Sequence, residues 1–340
     1  MIMTTACRHH ARAGGDIRKR AAAVLLLTVA LLSILGWTAE SCGQAKLPRV
    51  GIVANRIQDP MFEVAERALA SRGWINGKTV ALEYRITGGD AVQIANATTE
   101  LVRLNVDILC CLSAPALGAA YAATRTIPIV AIDLTTDPVA AGYAESYSHP
   151  GHNVTGVFLD APGIAAKWVE LLKTIVPGLS RVAVLWDPAP GQVHLRAVQG
   201  AARSLGVEVQ VLEVHKPGDI EKAFAAFRDR TQAAILLPAP LLYANNATIA
   251  AVAMKRHVLA IGLWREFTEA GGAVNYGPYQ PAYIERSAAL VASILGGSKP
   301  GDLPIERPTK FEFILNLKTI EALGITIPQS ILLRADEVIR

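Results

Sequence analysis

With 340 residues, 51% of them hydrophobic and 18% charged, the chain has material for two compact domains and is too apolar to stay unfolded. Its formal charge of +4 is concentrated at the start, where Arg8, Arg12, Arg18, Lys19 and Arg20 against Asp16 give the first twenty residues +4 and leave the rest near neutral. No later basic run carries interleaved aromatics, so a surface that tracks nucleic-acid phosphates has no support.

Arg18, Lys19 and Arg20 precede Ala21 to Leu35, fifteen uncharged residues, then Gly36, small polar residues, Cys42 and Ala45. This is the layout of a secretory signal in residues 1–45. Three outcomes fit it. Cleavage after Ala45 frees a periplasmic chain that begins at Lys46, with Gly43 and Ala45 as the small residues a peptidase needs. Alternatively, lipid on Cys42 anchors the chain, although Glu40 puts a charge where such sites are apolar. An uncleaved segment extended through Trp37 and Ala39 is the third outcome, at the lower limit of the ~20 residues that span a bilayer. Cys110 and Cys111 are adjacent within an apolar run. Neighbouring strand side chains point to opposite faces, so these two read as small buried hydrophobes and not as a disulfide or a metal site.

Short β-branched runs then alternate with helical patterns, the signature of βαβ units around parallel sheets, and the fold class is α/β. Strands are expected at Arg49 to Ala54, Thr79 to Arg85, Val106 to Leu112 and Ile127 to Ile132. The helices between and after them are expected at Met61 to Arg72, Ala91 to Leu104 and Ala116 to Thr124. Thr135 to Asp160, rich in turn chemistry, reads as a first crossing between lobes. The alternation then restarts. Strands are expected at Arg181 to Trp186, Glu208 to Leu212, Ala233 to Pro238 and Leu259 to Gly262. Helices are expected at Ala165 to Ile175, Val193 to Leu205, Ile220 to Arg228 and Ala247 to Arg256. Two such lobes, facing at the carboxyl ends of their strands, make a cleft that suits closure around a small molecule.

Four separated segments carry a resemblance. They are Pro150 to Gly156 (PGHNVTG), Arg265 to Gly272 (REFTEAGG), Pro308 to Thr319 (PTKFEFILNLKT), and Leu323 to Pro328 (LGITIP) continued by Leu332 to Ile339 (LLRADEVI). In that order they resemble the ABC-transporter substrate-binding family, whose better-understood members bind tryptophan or other amino acids. The resemblance implies a type I periplasmic-binding-protein fold of two Rossmann-like lobes joined by three crossings. Residues 46–155 with 277–303 would form one lobe, and 156–276 with 304–340 the other, with a helix at Ala282 to Leu295. It also implies a monomer, with an ABC permease and its ATPase as partners and without a cofactor. The solute it implies is a small molecule, an amino acid or related zwitterion foremost.

Candidate ligand residues follow, each beside a structural alternative. Ser113 and Ala114 sit where a strand opens a helix, whose free N–H groups hold carboxylates. The family's Thr-Pro is altered here, and Ser113 is equally an ordinary N-cap. Asp137 stands after the fourth strand, or simply initiates a turn with Pro138. Asp160 occupies the place where amino-acid-binding relatives keep an acid, or supplies charge to the start of the next helix. Glu266 reaches the cleft from a strand end, or else caps a helix or pairs with Arg265. Tyr276 and Phe62 are ligand walls or hinge packing. Pro238-Ala239-Pro240, near Tyr243, departs from the hydroxyl or acidic residues of tryptophan-binding relatives, which weakens tryptophan as the solute.

Beyond the signal the histidines 149, 152, 194, 215 and 257 are scattered. HExxH, G-x-S-x-G, GxxxxGK[ST] and G-x-G-x-x-G patterns are all lacking, so an enzyme is not expected. A sensor that signals to a membrane kinase would use the same lobes, and the chain itself does not separate it from an importer's receptor.

Overall fold

The computed structural model describes residues 46–54, 60–133, 136–159, 161–228 and 231–340, and the signal-like segment 1–45 lies outside them. Leu47–Arg340 form one compact unit. The chain runs through β1 (Arg49–Ala54), α1 (Pro60–Ala70), β2 (Ala81–Ile86), α2 (Ala91–Arg103), β3 (Ile108–Cys111), α3 (Ala114–Ala123), β4 (Ile129–Asp133) and β5 (Val154–Phe158). It continues with α4 (Ala161–Ile175), β6 (Arg181–Trp186), α5 (Val193–Ser204), β7 (Glu208–Glu213), α6 (Ile220–Ala225), β8 (Ala233–Leu236) and α7 (Pro240–Ala244). Then come α8 (Asn246–Lys255), β9 (Leu259–Gly262), α9 (Arg265–Glu269), β10 (Val274–Pro278), α10 (Gln280–Leu295), β11 (Phe311–Asn316), α11 (Leu317–Ala322), α12 (Gln329–Leu332) and β12 (Glu337–Ile339).

Among the described residues these strands form two sheets, ordered β2-β1-β3-β4-β5 and β12-β11-β10-β9-β8-β6-β7. All pairs are parallel except β10 with β11. Helices cover both faces of each sheet, which is why the strands read as continuous apolar runs. The alternation inside one strand shows the division. Val50, Ile52 and Ala54 of β1 pack with Leu69 of α1 and Val291 of α10, whereas Val53 packs with Leu101 of α2 and Leu117 of α3. Cys110 and Cys111 obey the same rule, one thiol toward each face and both unbridged.

Three passages join the sheets. After β5, α4 packs against the second sheet, where Trp168 is fully buried and its Nε1 donates to the Tyr276 carbonyl at 2.8 Å. After β10 the chain returns, and α10 packs on α1 beside the first sheet. A third segment leads to β11, and here the Thr155 hydroxyl donates to the Leu303 carbonyl at 2.9 Å. The Glu306 N–H donates to the Gly156 carbonyl, and the Phe158 N–H to that of Glu306. Gly156 has φ +149°, and a Cβ there would lie 1.9 Å from the Ala131 carbonyl oxygen, so a side chain is incompatible with this crossing.

Several boundaries differ from expectation for local reasons. α3 starts at Ala114 and α10 at Gln280, two residues early in each case, because Pro115 and Pro281 fit a first helical turn whose N–H groups are unpaired anyway. β8 stops at Leu236 and not Pro238, where a ladder donor is missing. The five-residue helices α7 and α9 are too short to leave a periodic signal, and α7 was not expected at all.

Candidate functional site

In each sheet the strand order reverses once in a place that matters here, between β1 and β3 and between β6 and β8. Loops leaving adjacent strands at such a switch point diverge, and the crevice between them is where open α/β sheets take ligands. Ala54, Leu112, Ser113 and Ala114 come from the first switch point, and Pro190, Pro238, Ala239 and Pro240 from the second, and all line one cleft. The cleft encloses about 740 Å³, its solvent-open part included.

Aromatic side chains supply much of the remaining wall. Phe62 projects from α1, with its ring 4.7 Å from that of Tyr84. From the other side Tyr243 of α7 and Trp264, just before α9, meet edge to face at 5.0 Å. Tyr283 and Gln280 of α10, with Met61, Ile132 and Ile284, complete it. Among the described residues no Asp, Glu, Lys or Arg lines the cleft, whose polar side chains are Ser113, Gln280, Tyr243 and Tyr283. Such a surface favours an uncharged, ring-sized body, with a few hydrogen bonds to orient it.

Ser113 caps α3 in an extended conformation, its Oγ accepting the Ala116 N–H at a long 3.4 Å. Pro115 has no N–H, so Ala114 is left as the first-turn donor of this helix end, at the cleft surface. Glu266 stands one layer behind the wall. Its Oε1 accepts from the Tyr243 hydroxyl at 3.0 Å and its Oε2 from Gln280 Nε2 at 3.1 Å, so two cleft side chains are held by one carboxylate. Arg265 turns away, to Glu312 at 3.1 Å, Glu337 at 2.7 Å and Glu269 at 3.4 Å. Burial pushes the Glu312 carboxyl above its ordinary range, and the Arg265 guanidinium partly offsets this.

The structure therefore brings Phe62, Ser113 and Ala114 together in the cleft, with Glu266 behind it. Asp137 lies on an exposed turn, its Oδ1 accepting the N–H groups of Val139 at 2.9 Å and Ala140 at 3.1 Å. The Tyr276 ring is not part of the cleft and packs on Phe311 at 6.1 Å and Phe313 at 6.3 Å. Asp160 lies outside the described residues. Sequence reasoning did not select Trp264, Gln280 or Tyr283, and it treated Pro238 to Tyr243 only as a departure from relatives.

The two sides of the cleft also touch. Gly89, between β2 and α2 with φ +81°, approaches the Pro240 peptide so closely that a Cβ would lie 2.6 Å from its carbonyl carbon and oxygen. Among the described residues no His/Cys/Asp/Glu group is arranged to hold a metal ion, and no helix is long and apolar enough to cross a membrane.

Residues 58–339 match the model of a family described as ABC transporter substrate binding protein. A curated tyrosine-binding protein of Clostridioides difficile is 23% identical over 284 residues, 82% of this chain and 81% of that protein. A conserved domain protein of Vibrio cholerae superposes with a TM-score of 0.79 at 25% identity, over 86% of this chain and all of that one. A Streptococcus ABC domain in complex with L-Trp gives 0.78 at 22% identity, with the same coverage. The fold is the type I periplasmic-binding-protein fold that the sequence implied.

Proposed function

Because the chain belongs to the ABC transporter substrate-binding protein family, whose members bind solutes and are not enzymes, we propose that it captures a small aromatic or large apolar amino acid and delivers it to an ABC importer. The observation that carries this reading is the cleft wall of Phe62, Tyr243, Trp264 and Tyr283 around a few hydrogen-bonding groups. The relatives whose names mention tyrosine and L-Trp support the same solute class.

In this reading the solute's ring stacks among those aromatics, and its carboxylate takes the Ala114 N–H and Ser113 Oγ at the start of α3. Asp160 is the proposed partner of the ammonium group. A cation leaving water needs such a partner. Glu266 positions Tyr243 and Gln280. Residues 46–155 with 277–303 move as one lobe against 156–276 with 304–340, and closure removes water from the solute. Affinity is then set by how strongly the solute prefers the closed arrangement. The signal-like start, with cleavage near Ala45 or lipid on Cys42, would place a monomeric receptor outside the cytoplasmic membrane, where substrate-binding proteins of importers work. There the closed lobes would meet the permease and its ATPase.

A thermal-shift screen of residues 46–340 against amino acids, nucleosides, small sugars and carboxylates tests this. Aromatic amino acids are expected to raise the melting temperature, and a screen in which only sugars or nucleosides do so would overturn the reading.

A further inference from the structure

Beneath the cleft floor lies a second cavity of about 570 Å³, partly open, between the first sheet and helices α1 and α10. Its 570 Å³ includes the part open to solvent, but close-packed interiors leave few voids larger than a water molecule, so an apolar space at this place is unusual. Val50, Ile52 and Val130 of the sheet face Ala65 of α1 and Ala288 and Val291 of α10 across it. Met61, Phe62, Leu112, Ile132 and Ile284 line both this cavity and the cleft, so only their side chains stand between the two spaces.

Two further features mark it as a built site. Ser287 is only 7% exposed and lines the cavity, yet its Oγ has no hydrogen-bond partner. An unmet buried hydroxyl is costly, and an occupant that supplies a partner would remove that cost. Cys110 also faces the cavity, and burial pushes its thiol up to about 12, so it is a neutral, polarisable wall. An apolar cavity of this kind is a good host for aryl or branched alkyl groups.

We propose that this cavity is a second subsite for the same solute, and that it accepts an apolar arm longer than one ring, passing between Met61 and Phe62 toward the Ser287 hydroxyl. The proposal rests on the cleft reading above for the solute's polar head. It extends the solute class from free aromatic amino acids to elongated ones, such as biaryl or aryl-ether side chains.

The test is calorimetric titration of residues 46–340 with L-phenylalanine and 4-phenyl-L-phenylalanine. It is run on wild type and on Ser287→Leu and Ala65→Leu, which fill the cavity from two helices and do not themselves line the cleft. Crystals of each are also soaked with indole. The second ring is expected to tighten binding about tenfold or more in wild type. Either filled variant should abolish that gain while L-phenylalanine affinity stays within about twofold, and indole should occupy the wild-type cavity alone. An extended ligand that binds no better than L-phenylalanine, or a gain that survives both variants, would overturn the subsite while leaving the cleft reading intact. Indole in the cavity with no amino acid bound would sink the cleft reading, and with it the assignment of the subsite to the same solute, while showing that the cavity takes an aryl group. Absence of both would sink the two together.

Discussion

Glu266 shows how a carboxylate acts on a site without lining it. It accepts from Tyr243 and Gln280, which sit on different helices, α7 and α10, and so fixes two cleft walls against each other. Tyr243→Phe keeps the ring on Trp264 but removes one donor, and should cost about 1 kcal/mol in stability by urea unfolding. His194 offers a separate test. It is 4% exposed, stacked on Trp168 at 6.1 Å, and burial lowers its pKa to about 4. Its unfolded value is near 6.5, so below that pH the unfolded chain binds the proton and the folded chain does not. This burial therefore carries no protonation-linked cost above about pH 6.5. As pH falls from about 6.5 to about 4 it should remove up to about 3 kcal/mol of stability, and His194→Gln should flatten that part of the unfolding profile. At this scale the sequence was only partly legible. Ser113, Ala114 and Phe62 follow strand ends or open helices, positions that can be read from pattern. Tyr283 has the helical spacing of a core residue, and Tyr243 sits in, and Trp264 just before, helices of five residues, which have no period to read.

The helices and strands were the more legible part, because both sheets are covered on two faces and their central strands are largely apolar runs. Arg49–Ala54, Arg181–Trp186 and Leu259–Gly262 coincide with the expected strands. What the pattern did not carry was the exchange between sheets, since β10 and β11 pair antiparallel with 34 residues of chain between the register partners Gly277 and Glu312. The turn before α2 is where Gly89 meets the Pro240 peptide. Gly89→Ala should hold that turn off Pro240 and weaken solute binding about tenfold or more. Gly88 is the control, with φ +61° and nothing within 4 Å of a Cβ, so Gly88→Ala carries the backbone strain without the contact. Equal losses in both variants would attribute the effect to strain alone.

For the molecule as a whole, two doubly covered sheets with facing switch points, joined by three passages, put one apolar, aromatic cleft where neither sheet alone would have one. Family membership supplies the class of activity, and the cleft's chemistry supplies the proposed solute. The most direct test is titration calorimetry of residues 46–340 with L-tyrosine, L-tryptophan and L-phenylalanine, beside Ala114→Trp, which fills the cleft at the start of α3. At least one of these is expected to bind at one solute per chain with micromolar or tighter affinity, and Ala114→Trp to abolish that binding while the circular dichroism is unchanged. Absence of binding by all three, or binding that Ala114→Trp leaves intact, would contradict the proposed function.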